Sequence, residues 1–234
     1  MDFSESTQLI QSNGKEFTVS ILEARQPSCV GIFAAGRGGS PVRHLPLLRA
    51  LAQQGCTIIA PHFEMLISLT PAKEELDARV EMLEIVLRLY SHVHQTMVGI
   101  GHSIGGTLLL ALAGGKALTF SGQDLGRPNL IWKFERLVLL APPVDFFLHP
   151  GALKSVDTQI CLHYGGKDTV TPPSKALLLK QMFEKQGQIK FLLDEEAGHF
   201  SYMDELPPQI EDSQPNRKAF LVKLANNIAK YITS

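Results

Sequence analysis

Three residues of this chain could together carry out nucleophilic acyl chemistry: Ser103, Asp168 and His199. A serine hydroxyl attacks a carbonyl only when a base takes its proton, and the usual base is a histidine oriented by a carboxylate. Ser103 lies in Gly101-His102-Ser103-Ile104-Gly105-Gly106, a G-x-S-x-G stretch. It falls between the apolar run Thr96-Met97-Val98-Gly99-Ile100 and an apolar helical pattern from Thr107 to Ala113. Composition alone produces such a stretch in roughly one chain in ten of this length. The setting adds the information. A strand that turns directly into a helix leaves little room beside the serine, so its flanking residues must be small, and Gly101 and Gly105 are. Asp168 follows the run Ile160 to Tyr164 through Gly165-Gly166-Lys167. His199 follows the run Ile189 to Leu193 through Asp194-Glu195-Glu196-Ala197-Gly198. A tetrahedral intermediate would also need backbone N–H donors for its oxyanion. The amide of Ile104, just after the serine, is one. The loop Ala35-Gly36-Arg37-Gly38-Gly39-Ser40-Pro41 can supply the other, and the Arg37 amide is the expected donor.

These residues need a scaffold that brings them to one edge. Short apolar runs recur at 18–21, 29–34, 56–60, 96–101, 137–141, 159–164 and 189–193. Several are continuously apolar, as in Leu137-Val138-Leu139-Leu140-Ala141, which fits strands of a parallel sheet buried on both faces. Helical patterns lie between them. Thr70-Pro71 predicts a helix start, with Leu76, Val80, Leu83, Leu87 and Tyr90 on one face and Asp77, Glu81, Glu84 and Arg88 on another. Leu45, Leu48 and Leu51 predict a helix stopped by Gly55. Another is expected from Ser174 to about Gln186, stopped by Gly187, and a last one carries Leu221, Leu224, Ile228 and Tyr231. Strands at about 6–12 and 15–23 are expected to form a hairpin around Asn13-Gly14. The alternation predicts a three-layer α/β/α sandwich with a mostly parallel, eight-stranded sheet, in one domain over 1–234. In such sheets ligands bind at the carboxyl ends of the strands, where Ser103, Asp168 and His199 all fall.

The chain resembles the α/β-hydrolases over essentially its whole length. The resemblance rests on Gly36-Arg37-Gly38-Gly39, Gly101-His102-Ser103-Ile104-Gly105-Gly106, Gly165-Gly166-Lys167-Asp168 and Gly198-His199. It implies Ser103 as nucleophile, His199 as base and then acid, Asp168 as orienting acid, and the Arg37 and Ile104 amides as oxyanion hole. One departure is Ala35, where the family loop usually has histidine. The family often inserts a lid after the sixth strand. Only the fifteen residues 144–158 stand there, so no lid domain is expected, as in dienelactone hydrolases and acyl-protein thioesterase-like carboxylesterases. Dienelactone hydrolases usually carry cysteine at the nucleophile position, which Ser103 does not match. The implied activity is hydrolysis of a carboxylic ester or thioester through an acyl-enzyme, with no cofactor. Acyl transfer through the same triad, or a non-catalytic binding module on the same fold, are the alternatives.

Other residues admit plainer readings. Asp145 follows the sixth strand, a position some relatives use for the acid, but a loop-capping role is the simpler one. His102 reads as a structural neighbour of the elbow, and His163 and Cys161 as strand packing. His92-x-His94 has the residue types of a metal site, but two histidines two apart point to different helix faces, so no metal is expected. Phe146 and Phe147 fit either core packing or an acyl pocket, which Phe200 could also line. Arg37 reads as a solvated loop residue or as a contact for a substrate carboxylate.

Composition closes off other classes. The 234 residues are 44% hydrophobic and 19% charged, which excludes overall disorder. With 22 basic and 23 acidic side chains the net charge is −1, without the basic excess of a nucleic-acid partner. No apolar run reaches the roughly 18 residues of a membrane span. Met1-Asp2-Phe3-Ser4-Glu5-Ser6 lacks the character of a secretory signal. The three cysteines, Cys29, Cys56 and Cys161, form no disulfide framework, and a cytoplasmic setting is expected. The expected partner is a small acyl ester or thioester. The oligomeric state is not legible.

Overall fold

The structure, a computed structural model, describes residues 3–12, 14–91, 96–125, 132–183 and 188–233. Its eight strands are β1 (Phe3–Ser12), β2 (Lys15–Ala24), β3 (Cys29–Ala34), β4 (Cys56–Pro61), β5 (Thr96–His102), β6 (Arg136–Leu140), β7 (Gln159–Gly165) and β8 (Ile189–Asp194). The helices are α1 (Leu45–Gln53), α2 (Lys73–Tyr90), α3 (Ile104–Leu112), α4 (Pro173–Phe183) and α5 (Arg217–Thr233). The sheet order is β1-β2-β4-β3-β5-β6-β7-β8. Strands β3 to β8 pair in parallel, and β2 joins β4 antiparallel. The hairpin runs in register from Phe3 opposite Ala24 to Ser12 opposite Lys15, so β1 begins three residues before the expected start. Gly14 takes φ +73°, a conformation that suits glycine at this turn. Asn13 lies outside the described residues.

The central strands are buried because helices cover both faces. Every residue of β3 is buried. Its side chains alternate between two cores. Val30, Ile32 and Ala34 face a cluster with Leu76, Val80 and Leu83 of α2, Leu108 and Leu110 of α3, and Leu179 of α4. Cys29 and Phe33 face the other cluster, with Leu47, Leu48 and Leu51 of α1 and Leu224 and Ile228 of α5. These are the three expected layers. Each fully buried leucine contributes about 1.5–3 kcal/mol of transfer free energy, so truncating Leu83 to alanine would cost about 2–5 kcal/mol once the cavity is included.

Helix ends depart from expectation for local reasons. Helix α2 begins at Lys73, not at Thr70-Pro71. The Ser68 hydroxyl accepts the Thr70 amide at 3.0 Å and holds that stretch in a turn, while the Glu75 carboxylate accepts the Ala72 amide at 2.9 Å and caps the helix two residues later. Glu84, expected on the polar face, is only 8% exposed and lies 3.9 Å from Arg88. Helix α3 starts at Ile104 rather than Thr107. Helix α4 ends at Phe183, and the expected stop at Gln186 and Gly187 lies outside the described residues, as do His92 and His94. Segment 144–158 forms a 3₁₀ turn at Val144–Phe147 and further turns before β7. No described helix is long and apolar enough to cross a membrane.

Candidate active site

Ser103 occupies the junction of β5 and α3 with φ +53° and ψ −131°, a region that non-glycine residues rarely adopt. Its amide donates to Leu140 O at 2.8 Å, which fastens the elbow to β6. The glycines around it are a steric requirement. A Cβ on Gly101 would stand 2.5 Å from Gly106 Cα, and one on Gly105 would stand 2.1 Å from Ala34 O. Strand and helix can therefore cross only where neither carries a side chain.

His199 begins the 3₁₀ turn His199–Tyr202 beyond β8. Its Nε2 is 3.0 Å from Ser103 Oγ, and its Nδ1 is 3.0 Å from Asp168 Oδ2. The ionised carboxylate only accepts, so Nδ1 carries the proton and Nε2 is free to accept from the serine. Asp168 is 3% exposed and is held by four donors. Oδ1 accepts the amides of Val170 at 2.8 Å and Thr171 at 2.7 Å. Oδ2 accepts the Thr171 hydroxyl at 2.6 Å as well as His199. Burial would raise the Asp168 pKa, but His199, by hydrogen bond and charge, and Thr171 outweigh it and hold the carboxyl below its usual value. Asp145 is turned elsewhere and pairs with Lys175 at 2.5 Å.

His102 is buried, and its Nε2–H donates to the backbone carbonyl of His199 at 3.0 Å. Its ring lies 5.2 Å from that of His199 and 5.1 Å from that of His44. Burial lowers the His44 pKa to about 4 and pulls that of His102 well below the ordinary histidine value, so both are neutral near pH 7. They form an uncharged backing for the turn that carries His199.

The loop after β3 lies against the serine. A Cβ on Gly36 would be 3.1 Å from Ser103 Cβ. The Arg37 side chain is exposed, as a solvated loop residue would be, but it is tethered. Its Nε donates to Leu66 O at 2.7 Å and its guanidinium also donates to Ile67 O, which tie it to the loop after β4. Ile104 is the first residue of α3, where N–H groups lack intrahelical acceptors and favour negative charge. Phe147 has no accessible surface and Phe146 only 2%; both pack in the core beside α3, so core packing accounts for them and they do not line an open pocket. Phe200 is half-buried, with its ring edge-on to His199 at 5.1 Å.

Sequence reasoning passed over two residues here. Thr171 follows Asp168 by three, a spacing at which an aspartate caps a turn and a hydroxyl can reach it. Arg79 falls between Leu76 and Leu83 on the apolar face of α2, and a cation in that stripe signals a partner within the core. It is 2% exposed and donates to Gly36 O at 2.8 Å and Arg37 O at 2.9 Å.

Neither a protein-family model nor a curated protein sequence matches this chain. Solved structures do. A predicted CIB-like hydrolase from Thermoplasma acidophilum is 14% identical, with a TM-score of 0.65 over 97% of this chain and 99% of that one. The carboxylesterase Cest-2923 from Lactobacillus plantarum is 14% identical, with a TM-score of 0.63 over 97% of both chains. Thermogutta terrifontis esterase 2, phosphorylated by paraoxon, is 14% identical, with a TM-score of 0.66 over 97% of this chain and 94% of that one. At these identities the likeness establishes the fold, which is that of the α/β-hydrolases.

Proposed function

We propose that this α/β-hydrolase-fold chain is a serine hydrolase that cleaves a carboxylic ester or thioester. The reading is carried by one observation, the hydrogen-bonded line from Ser103 Oγ through His199 to Asp168 at a strand–helix elbow. Ser103 Oγ attacks the substrate carbonyl as His199 Nε2 takes its proton. The carbonyl π pair moves onto oxygen, and the amides of Ile104 and Arg37 stabilise that oxyanion. When it collapses, the bond to the alcohol or thiol breaks and His199 returns the proton to the departing group. Water then attacks the acyl-Ser103 ester by the same route and releases the acid. Asp168 keeps the proton on Nδ1 and stabilises the imidazolium that forms at each transfer. Phe200, beside His199, is the aromatic contact left for the substrate. The fold neighbours printed as esterases support this reading, and organophosphate reactivity gives the test. A fluorophosphonate should label the protein with one adduct, mapped to Ser103 by peptide mass, and abolish hydrolysis of a panel of p-nitrophenyl esters and acyl thioesters. A protein that takes no label and hydrolyses none of the panel would remove the assignment. New esters formed with added alcohols at the expense of free acid would identify acyl transfer instead.

A further inference from the structure

We propose that Arg79 is a positioning residue for the oxyanion loop, holding the carbonyls of Gly36 and Arg37 toward α2 so that the amides of this loop face Ser103. The inference rests on the oxyanion assignment above. Arg79 projects from the buried face of α2, with its guanidinium carbon 5.0 Å from the centre of the Phe63 ring. Nη1 donates to Gly36 O at 2.8 Å. Nη2 donates to Arg37 O at 2.9 Å and also to Glu64 O. One planar fork thus grips two successive peptide units of the loop after β3 and one of the loop after β4.

A trans peptide is planar, with its C=O and N–H directed oppositely. Fixing Gly36 O toward Arg79 therefore projects the Arg37 N–H away from α2. Fixing Arg37 O does the same for the Gly38 N–H. The Ser103 side chain lies against Gly36, at 3.1 Å from where a Cβ would be. The remaining bonds lock the loop in this pose. Gly39 N donates to Gly36 O at 3.0 Å and closes a turn, while Leu66 N donates to Arg37 O at 3.0 Å.

The choice of arginine has a cost that packing alone does not explain. Burial lowers the guanidinium pKa, opposed by the charge of Glu75, yet only to about 10, so it remains a cation at neutral pH. Its hydrogen-bond acceptors are backbone carbonyls, and Nε makes no hydrogen bond among the described residues. An apolar side chain of similar length would fill the space without desolvating a charge. What it could not do is hold two adjacent carbonyls in one plane. A lysine would keep the charge, but its single nitrogen lacks the fork.

The test compares Arg79→Lys and Arg79→Met with the unmodified protein, using rates per site titrated with fluorophosphonate so that unfolded protein does not count. Loss of an oxyanion donor lowers kcat by about 10²–10³-fold, and disorder of the loop should reach part of that. The expected result is a fall in kcat of about 10- to 100-fold in both variants, with KM within about threefold. A trifluoromethyl ketone, which adds to Ser103 to give a tetrahedral oxyanion, should lose affinity by the same factor as kcat/KM. A merely structural role would lower the melting temperature and leave the per-site rate and ketone affinity unchanged. That result, an unimpaired Arg79→Lys, or failure of both variants to fold would overturn the inference while leaving the hydrolase assignment intact. An unmodified protein without Ser103-dependent ester hydrolysis would remove both.

Discussion

The ring of His102 holds the backbone carbonyl of His199 at 3.0 Å, so the residue before the elbow serine also anchors the turn that bears the proposed base. Behind it lies His44, and both are kept neutral by burial. In the unfolded chain each would titrate near the ordinary value of 6.5. Between pH 6.5 and about 4 the unfolded state therefore binds more protons, and stability falls as the solution is acidified. His44 alone accounts for about 3 kcal/mol over that window. His163 acts in the opposite sense. Burial disfavours its charge, but hydrogen bonds and charge interactions with Asp194 and Cys161 raise it to about 9. Its contribution is complete below pH 6.5 and is lost as pH rises toward 9. Denaturant unfolding from pH 4.5 to 9 should show greatest stability near pH 6.5. His44→Gln should flatten the acid limb and His163→Gln the alkaline one. A profile that rises throughout would contradict the assignment of His163, and one that falls throughout would contradict that of His44.

Ser103→Ala should retain the fold and lose about 10⁴-fold or more in ester turnover. Circular dichroism and a p-nitrophenyl ester assay check the two halves. Turnover near that of the unmodified protein would show that another group is the nucleophile.

Asp168→Asn should cost about 10³- to 10⁴-fold in kcat, because the amide can present its NH₂ to Nδ1 and favour the wrong tautomer. Thr171→Val should cost about tenfold, since it removes one hydrogen bond of typically 1.5–3 kcal/mol to a charged group but leaves the two backbone amides on Oδ1. Asp145→Asn, which loosens only the pair with Lys175, should change kcat by less than about threefold. A larger loss at Asp145 than at Asp168 would reverse the assignment of the acid.

Gly36→Ala and Gly105→Ala should fail in different ways. The new methyl of Gly105→Ala would meet Ala34 O at 2.1 Å, backbone against backbone, so the variant should lose several kcal/mol of stability or not fold. At Gly36 the methyl would meet Ser103 Cβ at 3.1 Å and His102 Nδ1 at 3.2 Å, contacts that a few tenths of an ångström relieve. That variant should fold with a melting temperature near the original and a kcat at least about tenfold lower. Full activity in Gly36→Ala would mean that the loop does not approach the reacting centre.

Acyl length is also open to assay. With Phe146 and Phe147 in the core, Phe200 is the half-buried aromatic beside His199, while Met65, Ile67 and Leu69 are 66–81% exposed on the loop after β4. Each methylene that becomes buried adds about 0.8 kcal/mol, and one left in water adds nothing. The kcat/KM for p-nitrophenyl esters should rise over short chains and level beyond about six to eight carbons. A steady rise to sixteen would require a larger apolar wall.

The sequence showed most where chemistry and geometry restrict residue type. Continuous apolar runs placed the parallel strands, and glycine on each side of Ser103 marked a crossing that the structure shows to be closed to any Cβ. It brought Asp168 and His199 to the strand ends where they meet Ser103. Hydrogen bonds that compete over one or two residues were less legible, as at Thr70, where Ser68 captures the amide and delays the helix. Arg79 escaped because its partners are carbonyl oxygens, which every residue carries and no side-chain pattern betrays. Phe146 and Phe147 were ambiguous because adjacent aromatics after a strand suit either a core or a pocket, and only packing against the layer of α3 separates the two.

Strand β8 is last in the sheet order, pairs with β7 alone among the described residues and is mostly half-exposed along its length. The proposed base therefore rides on the margin of the sheet, while the proposed nucleophile rides on its centre. Edges open more readily than interiors, in small cooperative excursions far below the free energy of global unfolding. Each such excursion would withdraw His199 and leave Ser103, β5 and α3 standing, a molecule folded by most optical measures but without a base. The His102 bond to His199 O works against this as a tether from centre to margin. Heat or denaturant should accordingly silence the proposed activity before it melts the protein. Amide exchange along β8 would follow the loss of rate, and exchange along β5 would follow the loss of fold.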